Sequence, residues 1–291
     1  YKRQGEASDL PEAIIVGLVG RGIGPSRTPR MHEAEAARFG LRYVYRLLDT
    51  DRMGEPRPTF EELLRAAEIT GFAGLNVTYP YKREAIACLD ELSETARATG
   101  AVNTIVLRDG KRFGHNTDCW GFRESFRRGM EGAARDRVLL IGAGGAGGAV
   151  ANALLEEGVG RLLIADASRR TAEELVERIG ARADRDRIEL ADDAAAAVAE
   201  VDGIVNATPV GMAHMRGSPV SPELLTARLW VADIVYFPIE TELLRAARER
   251  GCRTLAGSGM AVFQAVRAFE LFTGLTPDHH RMKATFDAFA D

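Results

Sequence analysis

A glycine-rich loop between a predicted strand and a predicted helix constrains the fold more than any other part of the sequence. In "VLLIGAGGAGGAVANALL" (138–155), Gly142, Gly144 and Gly147 form a G-x-G-x-x-G array that follows an apolar run and opens a helical pattern. The first glycine permits a tight turn, the second lets the backbone approach a pyrophosphate, and the third lets the helix pack on the strand. A phosphate would lie at the helix N-terminus, where the helix dipole favours negative charge. The loop therefore predicts a dinucleotide-binding unit rather than a glycine-rich turn of some other α/β protein.

An aspartate at the end of the next predicted strand indicates which dinucleotide the loop would bind. Asp166 closes "LLIAD" (162–166), near the offset of roughly 20 residues at which an acidic side chain contacts the ribose. Its carboxylate would accept hydrogen bonds from the adenosine ribose hydroxyls and would repel a 2′-phosphate. Arg169 and Arg170 favour the opposite choice because guanidinium groups pair well with phosphate, although they also fit the solvated start of a surface helix. We therefore expect NAD as the cofactor, with NADP as the alternative.

Predicted strands and helices alternate along most of the 291 residues, which predicts an α/β fold. The length suits two domains of ordinary size, with parallel sheets and right-handed crossovers. We place a first α/β domain at residues 1–118 and a Rossmann-type, doubly wound domain at residues 119–257. The C-terminal helices, at residues 258–291, are expected to pack back on the first domain because the nucleotide unit is complete before them.

Several local signals predict where individual elements begin and end. Thr28 has the side chain of an N-cap, which predicts that it caps a helix over residues 26–40. A further helix is expected after Pro80. The dipeptide Asp109-Gly110 lies between two strand-like runs and predicts the tight turn of a β-hairpin.

Charge and composition exclude several classes of protein. The formal net charge of −4 gives no reason to expect a nucleic acid partner. No apolar run approaches the roughly 20 residues that a membrane-spanning helix needs, so no membrane partner is expected. The first ten residues lack the apolar stretch of a signal peptide, and the three cysteines have spacings that fit no metal site. We therefore expect a cytoplasmic protein with no bound metal, and we leave open whether it forms a homodimer.

The scarcity of lysine makes one residue informative. The heptad "NVTYPYK" (76–82) ends on Lys82, one of only four lysines among the 38 basic residues of the chain. Arginine hardly ever releases a proton in a protein, whereas lysine can do so. A lysine at the mouth of a predicted strand therefore indicates a position that needs a cation able to exchange a proton. A surface salt bridge is the simpler alternative.

Five fragments, in order along the chain, resemble the motifs of the shikimate dehydrogenase family. They are "GPSRTPRMH" (24–32), "NVTYPYK" (76–82), "NTDCWG" (116–121), "NATPVGM" (206–212) and "GSGMAVFQAVRAFELFTG" (257–274). The Ser-Arg-Thr-Pro form of the first fragment, the aspartate at position 166 and "VYFPIETELL" (235–244) look most like the NAD-dependent quinate/shikimate dehydrogenase branch. The resemblance extends from about residue 13 to the C-terminus.

The resemblance implies a substrate-binding domain joined to a Rossmann domain, with the active site in the cleft between them. It implies reversible hydride transfer between a nicotinamide cofactor and the C3 hydroxyl of shikimate, quinate or both, which gives the 3-dehydro acids. Alternatives are an NADP-dependent shikimate dehydrogenase of the chorismate pathway to aromatic amino acids and an aminoshikimate dehydrogenase. From a different class, the chain could be a non-catalytic sensor of dinucleotide or shikimate. The presence of both Lys82 and Asp118 argues against a sensor.

The resemblance also assigns roles to individual residues. Lys82 and Asp118 match the catalytic pair, which takes the hydroxyl proton in one direction and supplies it in the other. The positions that match substrate-binding residues are Ser26 and Thr28 for the carboxylate, Thr78, Asn103 and Gln264 for the ring hydroxyls, and Tyr236. The expected cofactor-binding positions are Gly142, Gly144, Gly145, Ala146, Gly147, Asp166, Arg169, Asn206, Thr208, Gly257 and Met260.

Overall fold

The computed structural model describes residues 13–182 and 184–288 of the chain. The polar segment at residues 1–10, noted above for its lack of an apolar stretch, lies outside the described residues. In the described part, helices flank two six-stranded sheets that follow one another along the chain. This arrangement confirms the predicted α/β class with a Rossmann-type second unit.

The first sheet mixes parallel and antiparallel strands in the order β2-β1-β3-β5-β6-β4. Strands β2, β1 and β3 are parallel, while β5 runs antiparallel to both β3 and β6. Its strands are β1 (Ile14–Gly20), β2 (Tyr43–Asp49), β3 (Gly74–Val77), β4 (Glu91–Leu92), β5 (Thr104–Arg108) and β6 (Lys111–His115). A core of buried apolar side chains, among them Val19, Leu75 and Ile105, lies on this sheet.

The second sheet is parallel throughout, in the order β12-β11-β10-β7-β8-β9. Its strands are β7 (Arg137–Ile141), β8 (Arg161–Ala165), β9 (Ile188–Leu190), β10 (Gly203–Asn206), β11 (Trp230–Asp233) and β12 (Arg253–Leu255). The order reverses beside β7, as it does in dinucleotide-binding folds, and ligands bind such sheets outside the carboxyl ends of the strands at that reversal. The loop after β7 is the glycine-rich loop.

Helices cover both sheets and connect them. They are α1 (Thr28–Arg38), α2 (Phe60–Ile69), α3 (Glu94–Thr99), α4 (Thr117–Gly129), α5 (Gly145–Glu156), α6 (Arg169–Gly180), α7 (Ala194–Ala197), α8 (Glu242–Glu249), α9 (Ser258–Thr273) and α10 (His279–Asp287). In the part of the chain that the structure describes, no helix is both long enough and apolar enough to cross a bilayer.

The predicted hairpin is confirmed, and its turn shows why the dipeptide predicted it. Strands β5 and β6 pair antiparallel around Asp109 and Gly110. Both turn residues have positive φ, 54° and 71°. A two-residue turn with this backbone matches the twist of the flanking strands, and aspartate followed by glycine adopts it readily.

Two local predictions were wrong. Helix α1 begins at Thr28 itself, with Arg27 in the N-cap position and no side-chain cap hydrogen bond. Thr28 is therefore the first helical residue and not the cap. The chain after Pro80 forms turns and then a 3₁₀ helix at Glu84–Cys88, not an α-helix. At the first of these places Arg27, the N-cap residue, is held by a hydrogen bond to the Phe286 carbonyl, a contact that local helix signals cannot show.

Helix α4 follows the first sheet, and the C-terminal helices return to pack on it. At Gly121 an added Cβ would lie 2.7 Å from the backbone nitrogen of Gln264, so α4 and α9 approach closely there. Helix α10 packs on α1 in a cluster that includes the buried side chains of Met31, Met282 and Phe286. The domain limits after residues 118 and 257 remain a prediction, and residues 1–12, 183 and 289–291 of those ranges lie outside the described part.

A buried carboxylate joins α1 to α10, and its removal should weaken the fold. Glu35 is 2% exposed; its side chain accepts hydrogen bonds from the Asp278 N–H at 2.8 Å and from the Arg281 guanidinium. We expect Glu35→Ala to lower the free energy of unfolding by about 1–3 kcal/mol, because the hydrogen bonds to a charged group that join α1 to α10 are lost and a buried side chain is truncated. Lys283→Ala removes only the solvent-exposed ion pair with Asp287 and should change stability little. Urea unfolding followed by circular dichroism would measure both, and equal stability of the two variants would contradict the prediction.

Candidate active site

An ion pair joins the two residues that the sequence predicts as the catalytic pair. Lys82 Nζ lies 2.6 Å from Asp118 Oδ2, and the two side chains are 21% and 9% exposed. Lys82 lies in the turns between β3 and the 3₁₀ helix, and Asp118 is the second residue of α4. The N-terminus of α4 favours the carboxylate, because the partial positive charge of the helix dipole lies there. The structure therefore brings an ammonium and a carboxylate together in a partly buried position, unlike an ordinary surface salt bridge.

Buried polar side chains hold the first turn of α4 and so fix the position of Asp118. Asn116 is the N-cap, and its side-chain oxygen accepts the Cys119 N–H at 3.1 Å. Asn103, which is 4% exposed, accepts the Thr117 N–H at 2.7 Å and donates to the Thr117 hydroxyl at 2.9 Å. The side chain predicted to bind a substrate hydroxyl thus also braces the helix that carries the carboxylate. Its contact with substrate remains a prediction.

The glycine loop lies beside this pair and has the shape of a diphosphate cradle. Gly142 has φ of 105°, and an added Cβ at Gly147 would lie 2.0 Å from the Gly142 carbonyl oxygen, so neither position tolerates a side chain without a shift. Gly144 is exposed, with no atom within 4 Å of its Cβ position. An added Cβ at Gly145 would be 3.9 Å from Lys82 Cδ. A bound dinucleotide would thus reach from this loop toward Lys82, past the half-buried Ala146.

Asp166 anchors the glycine loop in addition to any role toward a ribose. Its Oδ2 accepts the Ala143 N–H at 2.7 Å, and its Oδ1 accepts the Ser168 N–H at 2.8 Å. An ionised carboxylate offers about four lone-pair sites, so acceptor capacity remains for ribose hydroxyls. Arg169 is held in surface ion pairs with Glu173 and Asp192. The 2′-phosphate of NADP would be repelled by the negative charge of Asp166. It could pair with Arg169 only if Arg169 gave up its ion pairs with Glu173 and Asp192.

The segment predicted to bind the substrate carboxylate is tied to the C-terminal helix. Ser26 and Thr28 are half-buried, and the Thr28 N–H donates to the Ser26 Oγ at 3.4 Å. Between them Arg27 is 6% exposed; its guanidinium lies 4.8 Å above the ring of Phe286 and donates to the Phe286 carbonyl at 3.1 Å. Sequence reasoning missed this contact, since the two residues are 259 positions apart. It fixes the backbone on which both hydroxyls are placed.

Tyr236 lies within electrostatic range of the Lys82–Asp118 pair. The residue is 42% exposed, and its ring meets that of Phe286 edge-on at 6.2 Å. Burial of the hydroxyl end raises the pKa of Tyr236, the negative charge of Asp118 raises it further, and the charge of Arg27 opposes the rise. The phenol therefore remains a neutral hydrogen-bond donor at the side of the cleft where the substrate is expected.

The other two predicted substrate residues lie on separate elements. Thr78 directly follows β3; its N–H donates to the Val19 carbonyl at 3.0 Å, and its side chain is half-buried. Gln264 lies on α9 with its Nε2 donating to the Ala261 carbonyl at 3.1 Å, so one amide proton and the side-chain oxygen remain for another partner. The shared role of these two residues toward a substrate remains a prediction.

The residues predicted to lie beside the nicotinamide are found in two places, the loop after β10 and the start of α9. The side-chain oxygen of Asn206 accepts the Thr208 N–H at 3.0 Å, and this loop packs against the glycine loop, with Thr208 N 2.9 Å from the Cβ position of Gly142. Gly257 precedes α9. Met260 is 8% exposed and belongs to the core cluster of the second sheet, so the structure shows a packing role for it.

Sequence reasoning also missed a buried carboxylate next to this loop. Asp233 ends β11 directly beside Asn206 and is 2% exposed. Its carboxylate accepts hydrogen bonds from Asn206, the Val235 N–H and the Thr241 hydroxyl. Burial raises the pKa of Asp233 to about 6, although these three hydrogen bonds oppose the rise. The signal that could have found it is a lone acid at the carboxyl end of an apolar parallel strand, where ligand sites lie in such folds.

The arrangement suits proton exchange next to a hydride acceptor. An ammonium and a carboxylate in contact can pass a proton to or from an alcohol that sits between them and a nicotinamide. In residues 13–182 and 184–288, no group of three or more His, Cys, Asp and Glu side chains is arranged to hold a metal ion.

Three family models match successive parts of the chain. They are the shikimate dehydrogenase substrate binding domain at residues 18–105, shikimate / quinate 5-dehydrogenase at residues 125–234, and the shikimate 5′-dehydrogenase C-terminal domain at residues 257–285. The matches follow the same order as the two sheets and the C-terminal helices.

Similar proteins match over nearly the whole chain. A shikimate dehydrogenase (NADP(+)) of Streptomyces avermitilis is 51% identical over 282 residues, covering 94% of each chain. A quinate/shikimate dehydrogenase (NAD(+)) of Corynebacterium efficiens is 47% identical and covers 94% of this chain and 98% of that protein. The solved quinate dehydrogenase from Corynebacterium glutamicum in complex with NAD superposes with a TM-score of 0.90 at 46% identity, over 95% of this chain and 99% of the other.

The open space at Gly144 allows a test of whether the glycine loop binds the diphosphate of a dinucleotide. Gly144→Ala should leave the melting temperature unchanged, because its φ of −69° suits alanine and no atom lies near the added Cβ. If a diphosphate approaches the backbone there, the methyl group should raise the Kd for NADH by about tenfold or more. Fluorescence titration with NADH measures this Kd. Gly54→Ala, at another position with open space, is the matched control. Unchanged affinity of Gly144→Ala would show that no ligand approaches this glycine.

Proposed function

The chain belongs to the shikimate dehydrogenase family, and we propose that it reversibly transfers hydride between NAD and the C3 hydroxyl of shikimate, quinate or both. The products of oxidation are 3-dehydroshikimate and 3-dehydroquinate. The observation that carries the proposal is the contact of Lys82 with Asp118 at 2.6 Å beside Gly145 of the glycine loop. A proton-exchanging pair and a dinucleotide cradle are the two parts that alcohol oxidation by NAD requires.

The protein's own part in the reaction is to bind the acid, exclude water and move one proton. When bound, the nicotinamide accepts the hydride during oxidation and returns it during reduction. The Lys82–Asp118 pair takes the proton of the C3 hydroxyl as the carbon loses hydride, so that a ketone forms, and returns a proton to the ketone oxygen in the reverse direction. The partial burial of both side chains strengthens their interaction and keeps their geometry fixed.

We assign the substrate contacts to side chains around this pair. The hydroxyls of Ser26 and Thr28 would bind the carboxylate, supported by their position at the start of α1, where a helix N-terminus favours an anion. Ring hydroxyls would be bound by Thr78, Asn103 and Gln264, with Tyr236 as a further donor. A polyol bound through several donors and acceptors is discriminated sharply from analogues that lack one hydroxyl, because the unmatched polar groups remain unpaired.

The cofactor is NAD, on the evidence of Asp166 and of the NAD-dependent relatives. The Asp166 carboxylate faces the loop where the adenosine ribose would lie and bears a charge that opposes a 2′-phosphate. The similarity to an NADP-dependent enzyme of Streptomyces avermitilis keeps NADP as the second candidate. A role in the chorismate pathway fits the family. A cytoplasmic location and a homodimer remain predictions.

Initial rates with shikimate and quinate, each with NAD and NADP, test the proposed function. We expect NADH to form with at least one of the two acids, and Lys82→Ala to lower kcat by about 10²–10⁴, because the proton acceptor is lost. Lys111→Ala is the matched control, since Lys111 forms a similar pair with Glu91 at 2.8 Å on the exposed surface. Binding of acid and NAD without formation of NADH would favour the sensor instead, and undiminished turnover of Lys82→Ala would refute the catalytic assignment.

Asp166→Asn tests the choice of cofactor. Removing the negative charge should raise kcat/KM with NADP relative to NAD by about tenfold, because the repulsion of the 2′-phosphate disappears. The amide can still accept one of the two backbone N–H groups that Asp166 holds. The ratio of the two kcat/KM values is the measurement, because a general loosening of the loop lowers both together. A ratio equal to that of the wild-type protein would limit Asp166 to anchoring the loop.

A further inference from the structure

A buried carboxylate holds the loop at the expected nicotinamide end of the cleft. Strands β10 and β11 are parallel neighbours, and their register places Asn206 opposite Asp233 at the carboxyl edge of the sheet. Both residues are almost fully buried, at 0% and 2% exposure. Asp233 is too enclosed to touch a cofactor directly, so its effect must act through the groups that it binds.

On one side Asp233 sets the orientation of the Asn206 carboxamide. Asn206 Nδ2 donates to Asp233 Oδ1 at 3.0 Å and to the Val210 carbonyl at 2.9 Å. Its oxygen accepts both the N–H and the hydroxyl of Thr208, at 3.0 and 2.7 Å. Because an ionised carboxylate only accepts hydrogen bonds, Asp233 forces the amide nitrogen toward itself and the oxygen toward Thr208. Asp233 and the Val210 carbonyl therefore together fix the Asn206 carboxamide, which holds the loop over residues 206–210.

On the other side the same carboxylate holds the segment that carries Tyr236. Asp233 Oδ1 also accepts the Val235 N–H at 3.0 Å, and Oδ2 accepts the Thr241 hydroxyl at 2.7 Å. Thr241 caps α8 through the Leu244 N–H at 3.2 Å. The bonds of Asp233 thus join the loop after β10, the segment after β11 and the start of α8.

We propose that Asp233 is a positioning residue that holds the Asn206–Val210 loop in the shape that receives the nicotinamide end of the dinucleotide. This inference rests on the proposed function, in which Asn206 and Thr208 lie beside the nicotinamide. The same loop packs against Gly142, where the Ala207 carbonyl lies 2.7 Å from the Cβ position of the glycine. A change in the shape of the loop over residues 206–210 would therefore also shift the glycine loop.

Protonation of Asp233 should loosen this loop within an accessible pH range. Burial raises the pKa of the carboxyl to about 6. The groups that face it are neutral, namely the carboxamide of Asn206 from β10, the hydroxyl of Thr241 from the start of α8, and the backbone at Val235 and Gly211. Protonation removes the negative charge that strengthens the hydrogen bonds from Asn206 and Val235, and it reverses the Thr241 contact, because the carboxyl O–H then donates to the hydroxyl oxygen. Affinity for the dinucleotide should fall as pH falls through about 6.

Fluorescence titration with NADH over pH 5 to 8 tests the proposal without any turnover. For the wild-type protein we expect the Kd to rise by about fivefold or more as the carboxyl becomes protonated, the factor expected when charge-assisted hydrogen bonds become neutral ones. Asp233→Asn should show the raised Kd already at pH 8 and little dependence on pH. Thr241→Val removes a hydrogen bond that lowers the pKa of Asp233, so its transition should move to higher pH, whereas Thr241→Ser should restore the wild-type profile.

Asp202→Asn is the matched control, because Asp202 accepts the Arg137 N–H at 3.0 Å at the opposite edge of the same sheet. Its Kd and pH profile should equal those of the wild-type protein. Equal Kd values for the wild-type protein and Asp233→Asn across the range would overturn the proposal, as would a wild-type Kd that does not vary between pH 5 and 8. A protein that binds NADH with the expected profile but oxidises neither acid would uphold the positioning role and refute the proposed function.

Discussion

The contact between Lys82 and Asp118 is the interaction on which the rest of the site depends. A partly buried ion pair is stable only where hydrogen bonds and fixed dipoles replace the lost water. Here the first turn of α4 supplies the dipole, and Asn103 and Asn116 supply the bonds that hold that turn. The lysine comes from a different element and reaches the carboxylate from the segment after β3. The structure therefore brings together two side chains that separate elements position.

The need of buried polar groups for hydrogen-bond partners also explains why such groups cluster near the ends of strands. Backbone groups at the carboxyl ends of parallel strands leave the sheet there, and side chains just beyond them face a cleft instead of a core. Two buried polar clusters lie next to such ends: Asn206 with Asp233 in the second sheet, and Asn76, near the end of β3, with Thr104 in the first, joined at 2.9 Å. Buried polar networks of this kind are satisfied almost completely, and they give the cleft a single shape before any ligand binds.

The sequence predicted what depends on local chemistry and failed where distant parts of the chain meet. The glycine loop, the aspartate after β8 and the Asp109-Gly110 turn have signals within a few residues, and each lies where it was expected. Thr28 has a capping side chain, but Arg27, which binds the carbonyl of Phe286, takes the N-cap position, and the helix starts at Thr28, one residue earlier than predicted. Asp233 and the Arg27 contact involve partners on other elements, which no periodicity shows. Only the resemblance to a family drew attention to Asn103 and Gln264.

Asp233 shows how such a site differs energetically from the core around it. A carboxyl whose pKa rises from 3.8 to about 6 on folding binds its proton more tightly in the folded state. Its favourable contribution to stability is complete below pH 3.8 and is lost as pH rises through about 6, so at neutral pH the charged form costs roughly 3 kcal/mol. An apolar side chain at the end of β11 would avoid that cost. The chain keeps a destabilising charge at a strand end where its hydrogen bonds shape the Asn206–Val210 loop, which a functional constraint predicts and packing alone does not.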